Sequence, residues 1–79
     1  MKIRIESTTK IVELCIGGQV VPARVWEGRT ESGIPVHCYI TRVAVPHVED
    51  QREFERELQE IATPSPAVAA LPARFVFPG

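Results

Sequence analysis

The sequence predicts an α+β fold: an antiparallel four-stranded β-sheet arranged as a meander, one C-terminal α-helix packed on it, and an apolar C-terminal arm. Residues 2–45 alternate between apolar and polar positions and are broken by short turn-forming stretches, as expected for strands. Residues 50–62 instead repeat apolar side chains at helical spacing. The 79 residues suffice for a single domain, with the sheet over 1–48, the helix over 49–62 and a Pro- and Ala-rich arm over 63–79.

The first two strands are predicted over residues 2–6 and 10–16, where apolar side chains alternate with charged or smaller ones. Residues 7–9, Ser-Thr-Thr, form a short polar break that suits a tight hairpin turn between them. Gly17 and Gly18 follow the second strand directly. They indicate a two-residue hairpin, because a type I′ turn needs a positive φ at both central positions.

The third and fourth strands are predicted over residues 19–27 and 34–45, joined by the polar loop GRTESG. Pro22 has no backbone N–H, so the third strand is expected to lie at an edge or to carry a bulge there. The fourth strand presents one apolar file along its length: Ile34, Val36, Cys38 and Ile40.

The helix is predicted to begin at Asp50, which has the character of an N-cap, with Glu53 completing a capping-box-like pair. Phe54, Leu58 and Ile61 then form an apolar stripe at spacings i, i+4 and i+7. We expect this stripe to be buried against Ile3, Ile5 or the apolar file of the fourth strand. Replacing Leu58 by Ala should then cost about 2–5 kcal/mol, as for a buried leucine.

The C-terminal segment predicts one further helical turn and an apolar end. Ser65 and Pro66 suit the N-cap and the first helical residue of a turn that extends to Leu71. Residues 75–77, Phe-Val-Phe, are too apolar to lie free in solvent. They are expected to form a short strand or a packed extended arm.

Charge and composition exclude several classes of protein. The net charge of −1 argues against a general nucleic-acid binder, which is usually clearly basic. No apolar stretch approaches the ~20 residues of a membrane span, and the N-terminus lacks the apolar region of a signal peptide. We therefore expect a reducing cytosol, in which Cys15 and Cys38 are free thiols.

No catalytic, metal or cofactor site is predicted. The possible soft ligands Cys15, His37, Cys38 and His47 match no zinc spacing, and the adjacent pair His37 and Cys38 points to opposite faces of a strand. A Cys15–His37 nucleophile would need an electropositive setting that the sequence does not supply. The sequence thus favours a protein that is not an enzyme.

The predicted helix is strongly acidic. Segment 49–60 carries a charge of −4, whereas residues 1–48 carry +2. One flank of the helix carries four acidic side chains, here called the acidic ridge: Asp50, Glu53, Glu57 and Glu60. Such a ridge can dock into a Lys- or Arg-lined groove that normally holds nucleic-acid phosphates. The alternative is a solvated helix face with intrahelical pairs such as Glu53–Arg56 and Arg56–Glu60.

Trp26 and Tyr39 are further candidates for partner contacts. They are the only large aromatic side chains with polar tips, and both lie on the less apolar faces of their predicted strands. Exposed aromatic residues of this type are common anchors at protein interfaces. The alternative, that both pack beneath the C-terminal arm, stays open at this point.

Most of the chain resembles a group of small proteins encoded by bacteriophages and prophages. The resemblance rests on five stretches: ESTTKIVEL (6–14), VPARVWEG (21–28), TESGIPVHCYITRVAV (30–45), FERELQEIATPSP (54–66) and LPARFVF (71–77). Residues 15–20 depart from the group, in which this turn is shorter. Small α+β phage proteins of this kind include anti-CRISPR proteins, which bind and block a host surveillance complex.

The resemblance implies a non-enzymatic inhibitor that acts in the cytoplasm of the bacterial host. Its partner would be a defence complex with a basic groove, such as a type I CRISPR surveillance complex, blocked by an acidic surface that competes with nucleic acid. The candidate partner-binding residues are Asp50, Glu53, Glu57, Glu60, Trp26 and Tyr39. The alternatives are a phage regulatory or structural accessory protein that binds another phage or host protein and, less favoured, a small enzyme or ligand-binding module.

Overall fold

The computed structural model of the protein describes residues 1–47 and 50–78, of which 49% are in strands and 16% are helical. Four strands form one mixed sheet, in the order β3-β2-β1-β4, that curls into a half-barrel. The elements along the chain are β1 (Ile3–Ile16), β2 (Gln19–Thr30), β3 (Pro35–Ile40), α1 (Gln51–Leu58), α2 (Pro66–Ala69) and β4 (Arg74–Phe77).

The predicted fold class is wrong. The described chain is mostly β, its sheet is mixed and not an antiparallel meander, and its helices are short. The main reason lies at the C-terminus, where residues 74–77 form a strand that pairs in parallel with Glu13–Ile16. The N–H of Glu13 donates to Ala73 O at 2.8 Å, and Arg74 pairs with the Glu13 carboxylate at 2.7 Å. The apolar end of the chain is therefore part of the sheet.

The predicted turn at residues 7–9 is also wrong, because β1 runs through it as a single strand of 14 residues. The register with β2 shifts between Ser7 and Ile11, which marks a β-bulge. Thr8 is buried in this bulge, and its hydroxyl donates to Val25 O at 2.6 Å. The Arg24 guanidinium donates to Thr8 O at 2.7 Å. These bonds provide hydrogen-bond partners for the carbonyl groups of Thr8 and Val25, which the bulge removes from the β1–β2 ladder. The chain can therefore continue as one strand without a turn.

The next turn follows the sequence prediction. Gly17 and Gly18 have φ angles of 56° and 81°, so both residues adopt the positive φ that the predicted hairpin requires, and β2 returns antiparallel to β1. The fourth predicted strand is shorter than expected, since β3 ends at Ile40 and residues 41–47 are irregular.

The core is small and lies between the sheet and α2. Its five buried apolar residues are Val12, Leu14, Ala23, Val25 and Val68. Ser65 caps α2 and accepts from the Val68 N–H at 3.4 Å, with Pro66 at the first helical position, which confirms the predicted start of this turn; α2 ends at Ala69 and not at Leu71. Val68 is fully buried, so this four-residue helix closes the core on one face of the sheet.

The predicted packing of the long helix is wrong. Asp50 does cap α1, accepting from the N–H groups of Arg52 and Glu53, but the helix ends at Leu58 and contains no buried residue. Leu58 and Ile61 are 40% and 38% exposed. The apolar stripe lines an open groove, because α2 and not α1 fills the core. Neither helix in the described residues has the length and apolar character to cross a lipid bilayer.

Candidate protein-binding groove

An open groove of about 970 Å³ lies between α1 and the face of the sheet opposite α2; we call it the α1 groove. The sheet forms its floor and the apolar stripe of α1 forms one wall. Its apolar lining residues are Ile5, Ile11, Pro22, Ala23, Trp26, Ile40, Val43, Phe54, Leu58, Ile61 and Ala62. A concave site with a mainly apolar lining and a few charged groups is the usual form of a binding site.

Strand register brings the floor residues together. Ile11 is the partner of Arg24 on β2, which in turn is the partner of Ile40 on β3. Directly opposed residues share a face of the sheet, so the three side chains form one row across the floor. Trp26 lies two residues along the same face and is the partner of Cys38.

The rim of the α1 groove is acidic on the helix side and mixed, with an excess of basic groups, on the sheet side. Glu57 and Glu60 stand on the helix side, whereas Arg24 and Arg42 stand on the sheet side together with Glu6 of β1. Arg24 is held in place by its hydrogen bond to Thr8 O. The groove can therefore orient a partner that carries an apolar centre between a basic and an acidic group.

Three carboxylates of the acidic ridge surround a basic residue, Arg56. Its guanidinium hydrogen-bonds Glu53 and Glu60, and it lies 3.9 Å from Glu57. The bond to Glu53 is the largest cause of the raised pKa of Arg56. The intrahelical pairs of the alternative reading are thus formed. At Asp50, by contrast, the carboxylate caps the helix and lies 3.9 Å from the Arg52 guanidinium.

Exposed ion pairs of this type are screened by solvent and contribute little to stability, so they hold the ridge together weakly. Four acidic side chains against Arg56 still leave the ridge negative. Glu49, which the sequence analysis counts in the acidic segment, and Val48, at the predicted end of the sheet region, lie outside the described residues.

The two candidate aromatic residues lie on opposite faces of the sheet. Trp26 lines the α1 groove. Tyr39 is the partner of Val25 and packs against Phe75 of β4, with the ring centroids 4.9 Å apart. Tyr39 thus takes the alternative placement beneath the C-terminal segment, and the structure does not bring it together with Trp26 or the acidic ridge.

A polar contact on the α2 face ties the sheet to the second helix. The carboxylate of Glu27 accepts from the Ser65 N–H at 2.8 Å and from the Ser65 hydroxyl at 2.6 Å. These bonds lower the pKa of Glu27, with a smaller contribution from His37 on the neighbouring strand. Glu27 therefore anchors the N-terminus of α2, a structural role that fully explains its hydrogen bonds.

Sequence reasoning missed Arg24 and Arg42 as members of the site. Trp26 lies on the less apolar face of its predicted strand, but a helix stripe buried against the sheet, as predicted, would leave no open groove for arginine side chains to line. Cys15 and Cys38 are free thiols. Across residues 1–47 and 50–78, no group of three or more His, Cys, Asp or Glu side chains is placed to hold a metal ion.

Comparison of the chain with protein-family models, with curated proteins and with solved structures finds no match.

Proposed function

We propose that this protein is a non-enzymatic inhibitor that binds and blocks a host defence complex, and that it does so through the α1 groove and the acidic ridge beside it. The observation that carries the proposal is the open groove itself, in which Leu58, Ile61 and Val43 are 38–40% exposed beside the charged rim. Exposed apolar side chains gathered in one concave surface are typical of a protein interaction site. The resemblance to small phage proteins, among which are anti-CRISPR proteins, supports a partner from host defence.

The rim chemistry favours a partner that carries both basic and apolar groups. Basic groups of the partner would face Glu57 and Glu60, and an apolar segment would occupy the floor at Trp26. A type I surveillance complex offers basic grooves, because it must hold nucleic-acid phosphates. The inhibitor would occupy such a groove in place of nucleic acid.

The direct test measures target-DNA binding by a purified type I surveillance complex, with and without this protein. We expect the protein to abolish DNA binding in a mobility-shift assay. The triple charge reversal of Glu53, Glu57 and Glu60 to Lys should weaken inhibition strongly. A matched pair separates the ridge from charge in general: Glu57→Lys should weaken inhibition more than Glu55→Lys, which makes the same change on the other flank of α1.

Arg56 provides a test in the opposite direction. Removing its guanidinium by Arg56→Ala makes the ridge more negative, and long-range charge acts mainly on association rates. We expect faster association with the surveillance complex at low salt and a steeper dependence on ionic strength. Lys2→Ala changes the net charge equally at an exposed site that does not line the α1 groove, and it should leave the rate nearly unchanged. Equal rates for the parent and Arg56→Ala would exclude a binding role for the ridge.

The apolar part of the site can be tested with the single tryptophan of the chain, since Trp26 lines the groove. Binding should change its fluorescence emission. Leu58→Ser should weaken binding, whereas Ile34→Ser, at a 59% exposed position outside the groove, should not. Failure to affect the surveillance complex, with groove-dependent binding of another phage or host protein, would support the accessory-protein function instead.

A further inference from the structure

The outer edge of β3 has no neighbouring strand in the described part of the chain, since β3 is first in the sheet order and pairs with β2 alone. The Thr30 N–H donates to Ile34 O at 2.9 Å, so the backbone of Ile34 faces β2. Alternation along an antiparallel strand then directs the backbone groups of Val36, Cys38 and Ile40 toward β2 as well.

The backbone groups of Pro35, His37 and Tyr39 consequently point away from the sheet. A second hydrogen bond, on the β1 side of β2, agrees with this alternation. The Glu31 N–H donates to Lys2 O, so the backbone groups of odd-numbered residues in this part of β2 point toward β1 and those of even-numbered residues point toward β3. Within residues 1–47 and 50–78, no backbone hydrogen bond outside the β2–β3 ladder involves His37 or Tyr39.

This edge also lacks the usual protection against strand pairing. Natural edge strands are commonly short or carry charged side chains, and β3 has no Lys, Arg, Asp or Glu over its six residues. The opposite edge strand, β4, has only four residues and begins with Arg74. Only Pro35, at the start of β3, limits pairing.

We propose that the outer edge of β3 is a self-association site, at which two copies of the chain pair antiparallel about a twofold axis through Cys38. In this register Val36 lies opposite Ile40 of the second copy, and His37 lies opposite Tyr39. The outward backbone groups of His37 and Tyr39 find partners on the second copy, giving about four hydrogen bonds between the copies. Pro35 falls at the two ends of the paired region, where its missing N–H costs least.

A second copy fits this edge because the register is self-complementary on both faces. On the groove face, the apolar residues Val36, Cys38 and Ile40 meet the same three residues in reverse order. A twofold contact of one surface patch with itself is the commonest form of homodimer. This proposal does not depend on the proposed inhibitor function.

The thiol of Cys38 offers a direct test. The backbone N–H and C=O of Cys38 point toward β2. Across the outer edge, Cys38 therefore forms a non-hydrogen-bonded pair with Cys38 of the second copy, and the two Cα atoms of such a pair lie about 4.5 Å apart. That separation is within the range of a disulfide. Diamide should therefore link two Cys38 thiols, taking up both hydrogens to become the hydrazine. In the Cys15→Ser variant we expect a crosslinked dimer to form at least about tenfold faster than in Cys38→Ser, since pairing raises the local thiol concentration.

Cys15 is the matched control, because it is half-buried like Cys38 but lies on β1 between two neighbouring strands. A register test uses single-cysteine variants made in a background in which Cys15 and Cys38 are both Ser. Val36→Cys mixed with Ile40→Cys should crosslink, whereas Val36→Cys alone should not, because its two copies would lie about four residues apart in the pairing.

Sedimentation of the reduced protein should show a dimer whose fraction rises with concentration. His37→Pro removes an outward N–H and should abolish this dimer, while an unchanged circular dichroism spectrum shows that the variant still folds. A protein that is monomeric at all concentrations, or that crosslinks equally fast through Cys15 and Cys38, would overturn the proposal. A dimer whose crosslinks show a different strand register, or pairing through an edge other than that of β3, would also overturn the proposal.

Discussion

Replacing Val68 by Ala should destabilise this protein more than replacing Leu58 by Ala, although the second change removes more atoms. Val68 is fully buried in the core, whereas Leu58 is 40% exposed in the α1 groove. Truncating Val68 removes two methyl groups from contact with the core, worth about 1.6 kcal/mol in transfer free energy. The remaining cavity adds about 1 kcal/mol, so the loss should be about 2–3 kcal/mol. Leu58→Ala should cost about 1.4 kcal/mol, because it removes three carbon atoms at about 0.8 kcal/mol each from a residue that is 40% exposed, with no closed cavity left behind.

These differences are large for a chain of this size, whose total stability is expected to be about 4–12 kcal/mol. Val68→Ala should lower the Tm by about 8–24 °C, and Leu58→Ala by about 6–11 °C. Urea unfolding followed by far-ultraviolet circular dichroism measures both losses without relying on Trp26, which lines the same groove as Leu58. A larger loss for Leu58→Ala than for Val68→Ala would mean that α1 closes over the sheet and that the groove is part of the core.

Three other outcomes follow from single contacts. Gly28→Ala should prevent stable folding, because the added Cβ would lie 1.8 Å from the backbone oxygen of Arg4. Gly33→Ala meets open space but places Ala at a φ of 87°, so it should cost about 1–2 kcal/mol; expression and thermal melting distinguish the two variants. Folding lowers the pKa of Glu27 below its ordinary value of 4.5. The carboxylate therefore contributes its full stabilisation above pH 4.5 and loses it as the pH falls through the lowered pKa. Glu27→Gln should flatten the dependence of Tm on pH in that range. Ser65→Ala should cost about 0.5–2 kcal/mol in urea unfolding and should raise the pKa of Glu27, measurable by NMR titration.

Local signals in the sequence predicted local structure well. The positive φ angles at Gly17 and Gly18, the cap at Asp50 and the Ser65–Pro66 helix start are each determined by residues within one turn of the chain. Short-range steric and hydrogen-bonding preferences suffice for such features.

Long-range choices were not predictable in the same way. The sequence of α1 has a clear apolar stripe, but it is α2 that packs on the core, because Val68 fits against the buried residues of β1 and β2. The bulge at Thr8 depends on an acceptor 17 residues away, Val25 O, and on a donor 16 residues away, the Arg24 guanidinium. The acidic ridge could be read from the helical periodicity, whereas the groove beside it follows only from the sheet register.

The bulge in β1 has a consequence for how the length of this chain can vary. Between the paired positions Ser7 and Ile11, β1 contains three residues where β2 contains only Val25. The excess is an even number, so side chains after the bulge keep the same inside–outside assignment as those before it. Loss of one residue here would exchange the faces of everything that follows in β1, turning the buried Val12 outward. Loss of two would preserve both the core and the α1 groove, so we expect tolerated insertions and deletions in this segment to come in pairs.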